Sequence, residues 1–175
     1  MLCRPSGPAA RDAPTQPLGH YQTGESAEPI AIADNPLVLG PAGTAYASMA
    51  DWAAFLQAHI GAGAGEDPLI DADAYRMLHT PPPGNAMPGM PGFEYASGRI
   101  SVSTAFGGGL LHDGSNTGWY CMALVLPDAD LGFLVVCNGA YARRQAACGE
   151  VSGQLMAAIK DRWMKAAHAA WSRGQ

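Results

Sequence analysis

His112-Asp113-Gly114-Ser115-Asn116-Thr117-Gly118, then Trp119 to Leu126, the turn Pro127-Asp128-Ala129-Asp130 and Leu131 to Asn138, is the stretch that decides the fold. Tyr120 to Leu126 and Leu131 to Cys137 are nearly continuous apolar runs of strand length. Runs of that kind belong to strands covered on both faces, so a helix must lie over at least one side. Leu110 to Gly114 forms the preceding strand, and the Gly-Ser-Asn-Thr-Gly segment turns it into the next.

Working upstream, Gly98 to Ser103 reads as a further strand and Gly107-Gly108-Gly109 as a tight bend, so extended structure starts from Phe93. Downstream, Val151, Leu155, Ala158, Ile159, Trp163 and Ala166 keep a helical step from about Arg144 to Ala170, with Lys160, Asp161, Arg162 and Lys165 on the polar side. The fold class is therefore α+β: an antiparallel sheet of three to four strands packed by a long C-terminal helix, preceded by a small helical part.

That helical part has two members. Ser48 caps a helix with Asp51 at the reciprocal position, and Trp52, Phe55, Leu56, His59 and Ile60 share one face before Gly61-Ala62-Gly63-Ala64-Gly65 ends it. His59 on that face reads as a packed structural histidine rather than a ligand. Asp71 to His79 is a shorter helix with a stripe of Ala74, Tyr75 and Leu78, stopped by Pro81-Pro82-Pro83. Residues 81–92 hold five prolines and three glycines, either a border of a site or a plain surface loop. The organisation is one incomplete domain: an irregular lead-in over 1–35, the helical part over 36–92, and the sheet with its helix over 93–170.

Composition narrows the function classes. A net charge of −5 with ten basic residues leaves no basic stripe for nucleic acid or an anionic membrane. No apolar run is long enough to span a bilayer, and Met1-Leu2-Cys3-Arg4 begins without a signal sequence, so the default expectation is a cytoplasmic chain. Four cysteines, at 3, 121, 137 and 148, lack metal-ligand spacing and read as reduced thiols. Simple register around the 127–130 turn sets Cys121 opposite Val136, which argues against a Cys121–Cys137 disulfide. Neither a metal nor a cofactor is expected.

Several segments together resemble the serine β-lactamase, penicillin-binding protein and related esterase superfamily, including class C β-lactamases. Pro41-Ala42-Gly43 followed by Tyr46-Ala47-Ser48-Met49-Ala50-Asp51-Trp52-Ala53-Ala54-Phe55 is similar to its Pro-Ala-Gly-Gly and Ser-Thr-x-x-Asp-Leu-x-x-Phe segment. Tyr95-Ala96-Ser97-Gly98 resembles its Tyr-x-x-Gly strand start, and His112-Asp113-Gly114 its third signature in a His-x-Gly form. The resemblance covers about residues 36–165 in the family's order, and it implies a partial β-lactamase/transpeptidase-like fold.

Such an enzyme needs a Ser-x-x-Lys nucleophile and a Tyr-x-Asn or Ser-x-Asn proton relay. The two lysines, Lys160 and Lys165, are preceded three residues earlier by Ala157 and Arg162, so no Ser-x-x-Lys exists. Two positions before Asn35, Asn85, Asn116 and Asn138 stand Ala33, Pro83, Gly114 and Val136, so the relay is missing too. The nearest substitute, Tyr46-x-Ser48, is better explained as an aromatic contact and a cap.

What the resemblance leaves is one wall of a site. It implies that His112 supplies a charge or hydrogen bond, that Gly114 lets substrate approach the strand, and that the Ser115 N–H is half of an oxyanion hole. Asp113 stands where a hydroxyl residue usually helps hold a substrate carboxylate; facing the cleft, it would repel one and favour a neutral ester or amide. Asn116 either reaches substrate or serves the turn. The sequence thus points to the C-terminal part of an acyl-transfer hydrolase, inactive alone and esterase-like. The alternatives are a non-catalytic binding or assembly module, or one half of a split enzyme. A bare sheet edge at Leu131 to Cys137 and a bare apolar helix face should follow, open to self-association or a partner chain.

Overall fold

The computed structural model describes residues 17–23, 25–30, 35–43, 45, 47–61, 71–116, 118–140 and 142–173. Strands β3 (Glu94–Ala96), β4 (Arg99–Thr104), β5 (Gly107–Asn116), β6 (Trp119–Leu126) and β7 (Leu131–Cys137) form one antiparallel sheet in the order of the sequence. A short hairpin, β1 (His20–Thr23) and β2 (Ser26–Pro29), stands apart from it. The helices are α1 (Gly40–Gly43), α2 (Met49–Gly61), α3 (Ala72–His79) and α4 (Ala142–Arg173).

The alternation of β6 sorts the core into two layers. Cys121, Ala123 and Val125 face Trp52 and Leu56 of α2, while Leu124 and Leu126 pack with Phe106 and, from α4, Met156 and Ile159. The doubly apolar strand expected from the sequence is thus covered by a helix on each side. Cys121 stands opposite Val136, and Cys121, Cys137 and Cys148 remain thiols; Cys3 lies outside the described residues.

Local chemistry explains where the helices start. At α2, Ser48 Oγ accepts from the Asp51 N–H at 3.1 Å, while the Asp51 carboxylate accepts from the Ser48 N–H at 3.1 Å and its hydroxyl at 2.7 Å. Asp in place of the usual Glu still closes a reciprocal cap. At α3, Asp71 accepts from the Ala74 N–H at 2.7 Å.

Four expectations need correction. The sheet has five strands, because Glu94–Ala96 is too short to display a period yet pairs with Arg99–Ser101 through the Ser97-Gly98 turn. Gly107, Gly108 and Gly109 are not a bend but the start of β5; the reversal falls at Ala105-Phe106. At Gly109 small size serves close approach, since a Cβ there would meet Leu126 Cδ2 at 2.7 Å, whereas one on Gly108 would meet nothing within 4 Å. α4 turns only part of the expected stripe to the sheet: Ile159 lies inward as expected, but beside Cys148, Ser152 and Met156, while Val151 and Leu155 are 44% and 40% exposed. Ser152 fits inside because its hydroxyl donates to the Cys148 carbonyl at 2.8 Å. The side chains of Trp163 and Ala166 lie outside the described residues.

The fourth correction concerns the segment read as an irregular lead-in, which contains the β1–β2 hairpin. It is tied to the far end of the chain: the His20 N–H donates to the Gly118 carbonyl, and His20 Nδ1 lies 3.0 Å from the Asn138 carbonyl oxygen. Gly118, at φ +82°, has no room for a side chain because a Cβ would meet the His20 nitrogen at 2.8 Å. Residues 1–16 lie outside the described residues.

Candidate functional site

β5 runs past its neighbour. Its pairing with β4 ends at Ile100↔Leu111, while its pairing with β6 continues to Asn116↔Trp119. From Asp113 onward, one edge of the strand carrying the His-x-Gly run therefore has no neighbouring strand among the described residues.

Backbone direction follows from the alternation of hydrogen-bonded pairs across the sheet. Tyr95 turns its N–H away from β4 to the Asn85 carbonyl, so Glu94 and Ala96 bond β4 through Ser101 and Arg99. Ile100 and Val102 then bond β5 at Leu111 and Gly109, and His112 and Gly114 bond β6. Asp113 and Ser115 are left with their N–H and C=O groups on the open edge.

Side chains alternate across the same strand. His112 stands beside Ala123 and Gly114 beside Cys121, both on the α2 face. There His112 joins Trp52, Phe55, Ser97, Gly98 and Arg99 around a cleft of about 230 Å3. Burial, with a smaller contribution from the Arg99 charge, holds the His112 pKa below its ordinary value, so the ring is neutral at pH 7. A Cβ on Gly114 would meet nothing within 4 Å, so the protein around it does not require glycine there.

Asp113 lies on the other face. Its carboxylate accepts a hydrogen bond from the Tyr120 hydroxyl at 2.7 Å, and Tyr120 packs on the α4 side, near Cys148. Burial and the Asp113 carboxylate push the Tyr120 phenol above its ordinary pKa. The expected repulsion of substrate carboxylates by Asp113 has no place in the cleft, because alternation along the strand sends its side chain away from His112. Asn116 stands opposite Trp119 at the end of β5; its side chain lies outside the described residues, as does Tyr46.

Beside the cleft, and reaching it through Arg99 and Phe55, lies a cluster that no motif announces. Arg99 Nη2 lies 2.7 Å from His59 Nε2, and His59 Nδ1 lies 2.8 Å from His79 Nε2. Guanidinium only donates, so His59 Nε2 must be an acceptor. That makes His59 a neutral ring with its proton on Nδ1, which it donates to His79 Nε2. His79 is then neutral as well, with its own proton on Nδ1. Burial, reinforced by the Arg99 charge, lowers the His79 pKa from 6.5 to about 4, in keeping with that assignment.

Aromatic packing fixes the cluster. Phe55 meets His59 edge-on at 4.7 Å, His79 stacks on His59 at 5.1 Å, and Tyr75 lies 3.9 Å from His79. The Arg99 guanidinium carbon sits 5.5 Å from the Phe55 ring centre. His59 is thus a packed structural histidine, only 3% exposed, that also orients a cation. A signal was present in the sequence: each helix carries an aromatic residue four positions before its histidine, Phe55 before His59 and Tyr75 before His79.

Residues 81–92 do not line the cleft. They fold back on β3 through Met87 N–H to the Phe93 carbonyl and the Asn85 side-chain amide to the Tyr95 carbonyl. Ser48 is held by its own cap, and no group of three or more metal-ligating side chains exists among the described residues. Comparison of the chain with protein-family models, curated proteins and solved structures finds no match.

Proposed function

We propose that residues 36–165 are the C-terminal part of a β-lactamase-related serine hydrolase, supplying one wall of an acyl-transfer site for an ester or amide. The observation that carries this reading is the open edge of β5, where the Ser115 N–H points outward one strand-step beyond a cleft that holds His112. An acyl carbonyl laid along that edge meets a fixed donor. When a nucleophile attacks it, the same N–H stabilises the developing oxyanion, a contribution of about 3 kcal/mol in comparable sites.

This chain brings no nucleophile to that point, since Ser-x-x-Lys and Tyr-x-Asn are missing from the sequence. His112, neutral at pH 7, hydrogen-bonds substrate rather than attracting it by charge. With Asp113 on the opposite face, the preference for neutral esters loses its support, and the reading rests at ester or amide.

A split enzyme, in which a second polypeptide supplies the nucleophile, is favoured by the outer boundary of the sheet. β7 ends the strand order, its only described backbone pairing outward being the bridge Gly139↔His20 just beyond it. Val151 and Leu155 of α4 are also exposed. The test is to mix the purified chain with a family polypeptide bearing Ser-x-x-Lys and Tyr-x-Asn and to follow nitrophenyl ester hydrolysis. Activity above that of either component, lost when the added serine is changed to alanine, is expected. A stable complex without hydrolysis leaves the binding or assembly role instead.

A further inference from the structure

Arg99 differs from the molecule's other described cation contacts. Arg76 pairs with Asp73 at 2.5 Å and Lys165 with Asp161 at 2.6 Å, both on exposed helix surfaces. Arg99 is half-buried in the cleft, and its described contacts are the His59 ring nitrogen and the Phe55 face. No carboxylate pairs with it among the described residues. Burial lowers its pKa, as expected of a partly desolvated charge that has no counter-ion among the described residues.

The choice of a histidine acceptor has a chemical consequence. A carboxylate beside Arg99 would orient the guanidinium and cancel its charge; neutral His59 orients it and leaves the charge intact. His79 fixes His59 in the accepting tautomer by accepting a hydrogen bond from its Nδ1–H, and the Phe55 ring packs against the guanidinium. Such an arrangement presents the remaining N–H groups as a preorganised fork for a carboxylate. His112, on the neighbouring strand and lining the same cleft, adds a neutral ring that can donate or accept.

We propose that Arg99, held by the neutral His59–His79 pair, is an anion-recognition residue that selects a small acyl compound bearing a carboxylate. The catalytic consequence rests on the acyl-transfer reading of this cleft; the binding does not. The cleft is small and its floor, formed by Trp52, Leu56 and Leu110, is apolar, so the complementary ligand is a short aliphatic or aromatic monocarboxylate. In an ester substrate, the same group would be a free carboxylate on the acyl part, as in a monoester of a short dicarboxylic acid.

The direct test titrates chain 1–175 with phenylacetate and with phenylacetamide, following the tryptophan fluorescence and the imidazole NMR signals. At least a tenfold preference for the carboxylate is expected. Arg99→Gln should abolish the preference, while Arg99→Lys, which keeps the charge but loses the fork, should retain part of it. Equal binding of acid and amide by the unsubstituted chain overturns the proposal whatever the variants do, as does an unchanged preference in a folded Arg99→Gln chain.

Complementation separates this idea from the one beneath it. Hydrolysis that ignores the acyl carboxylate overturns the role of Arg99 and keeps the hydrolase. Arg99-dependent carboxylate binding without hydrolysis supports anion recognition and removes the hydrolase.

Discussion

Lowering the pH from 7 to 4 should destabilise this protein through one ring, and His79→Gln should remove that part of the loss. His79 accepts from His59 and packs against Tyr75, and burial with the Arg99 charge lowers its pKa from 6.5 to about 4. Between those values the unfolded chain binds a proton that the folded one refuses, so stability falls as the pH falls through the window and levels off below about 4. At 1.36 kcal/mol per unit the full difference is about 3.4 kcal/mol. The ring is only half-buried, and solvent screening brings the expected effect to about 1–2 kcal/mol.

Glutamine offers an oxygen to the His59 N–H without titrating, which is why it is the informative replacement. His112, held down by burial, adds a slope of the same sign that persists in the variant. Asp51, whose pKa is lowered by the Ser48 hydroxyl and N–H, acts in the separate window below 3.8. Urea unfolding followed by tryptophan fluorescence, to which the buried Trp52 contributes, at steps from pH 7.5 to 4 gives the comparison. Parallel pH dependence in the two proteins would refute the reasoning, because it would mean that His79 titrates in the folded state as it does in water.

Other outcomes separate the roles of neighbouring positions. Gly109→Ala should cost about 1–3 kcal/mol, since its methyl would sit 2.7 Å from Leu126 Cδ2 and 3.2 Å from the Val125 carbonyl oxygen. Gly114→Ala, with nothing within 4 Å, should change the unfolding free energy from urea titration by no more than about 0.5 kcal/mol. Leu126→Ala empties a fully buried site, 0% exposed, and should cost about 2–5 kcal/mol by the same measurement. Tyr120→Phe breaks the bond to Asp113 and should cost about 1 kcal/mol while leaving carboxylate binding in the cleft unchanged, because the pair lies on the other face. Cys148, buried and with its thiol pushed up to about 12, chiefly by burial, should resist iodoacetamide at pH 8 until the chain is unfolded.

The strands β6 and β7 were legible because their apolar runs are long and bounded by a turn whose residues announce it. The Cys121↔Val136 register followed from counting around that turn. β3 and the β1–β2 hairpin were not legible: three or four residues carry no period, and their pairing depends on contacts such as His20 with Gly118 that no local pattern encodes. The stripe of α4 was misjudged because hydrophobicity favoured Val151 and Leu155, whereas the small Ser152, bonded to its own helix, allows close packing.

At the site, a motif describes positions along one strand and says nothing about neighbours across it. His112 and Arg99 line one cleft because β4 and β5 are neighbours, and His59 meets His79 through a contact between α2 and α3. Asp113 shows the converse. One step along a strand reverses the face, so proximity in sequence to His112 placed its charge on the opposite side of the sheet.

The five-stranded sheet is a pure meander, each strand paired with the next in the sequence. In kinetic terms this keeps the contacts local, and sheets closed by short turns escape much of the loop-closure entropy that slows β proteins. Residues 94–137 should therefore assemble early, as nested hairpins. The β1–β2 hairpin, joined to Asn138 across 118 residues, should dock late. Its arrival, rather than formation of the sheet, should set the slow step of reaching the complete structure.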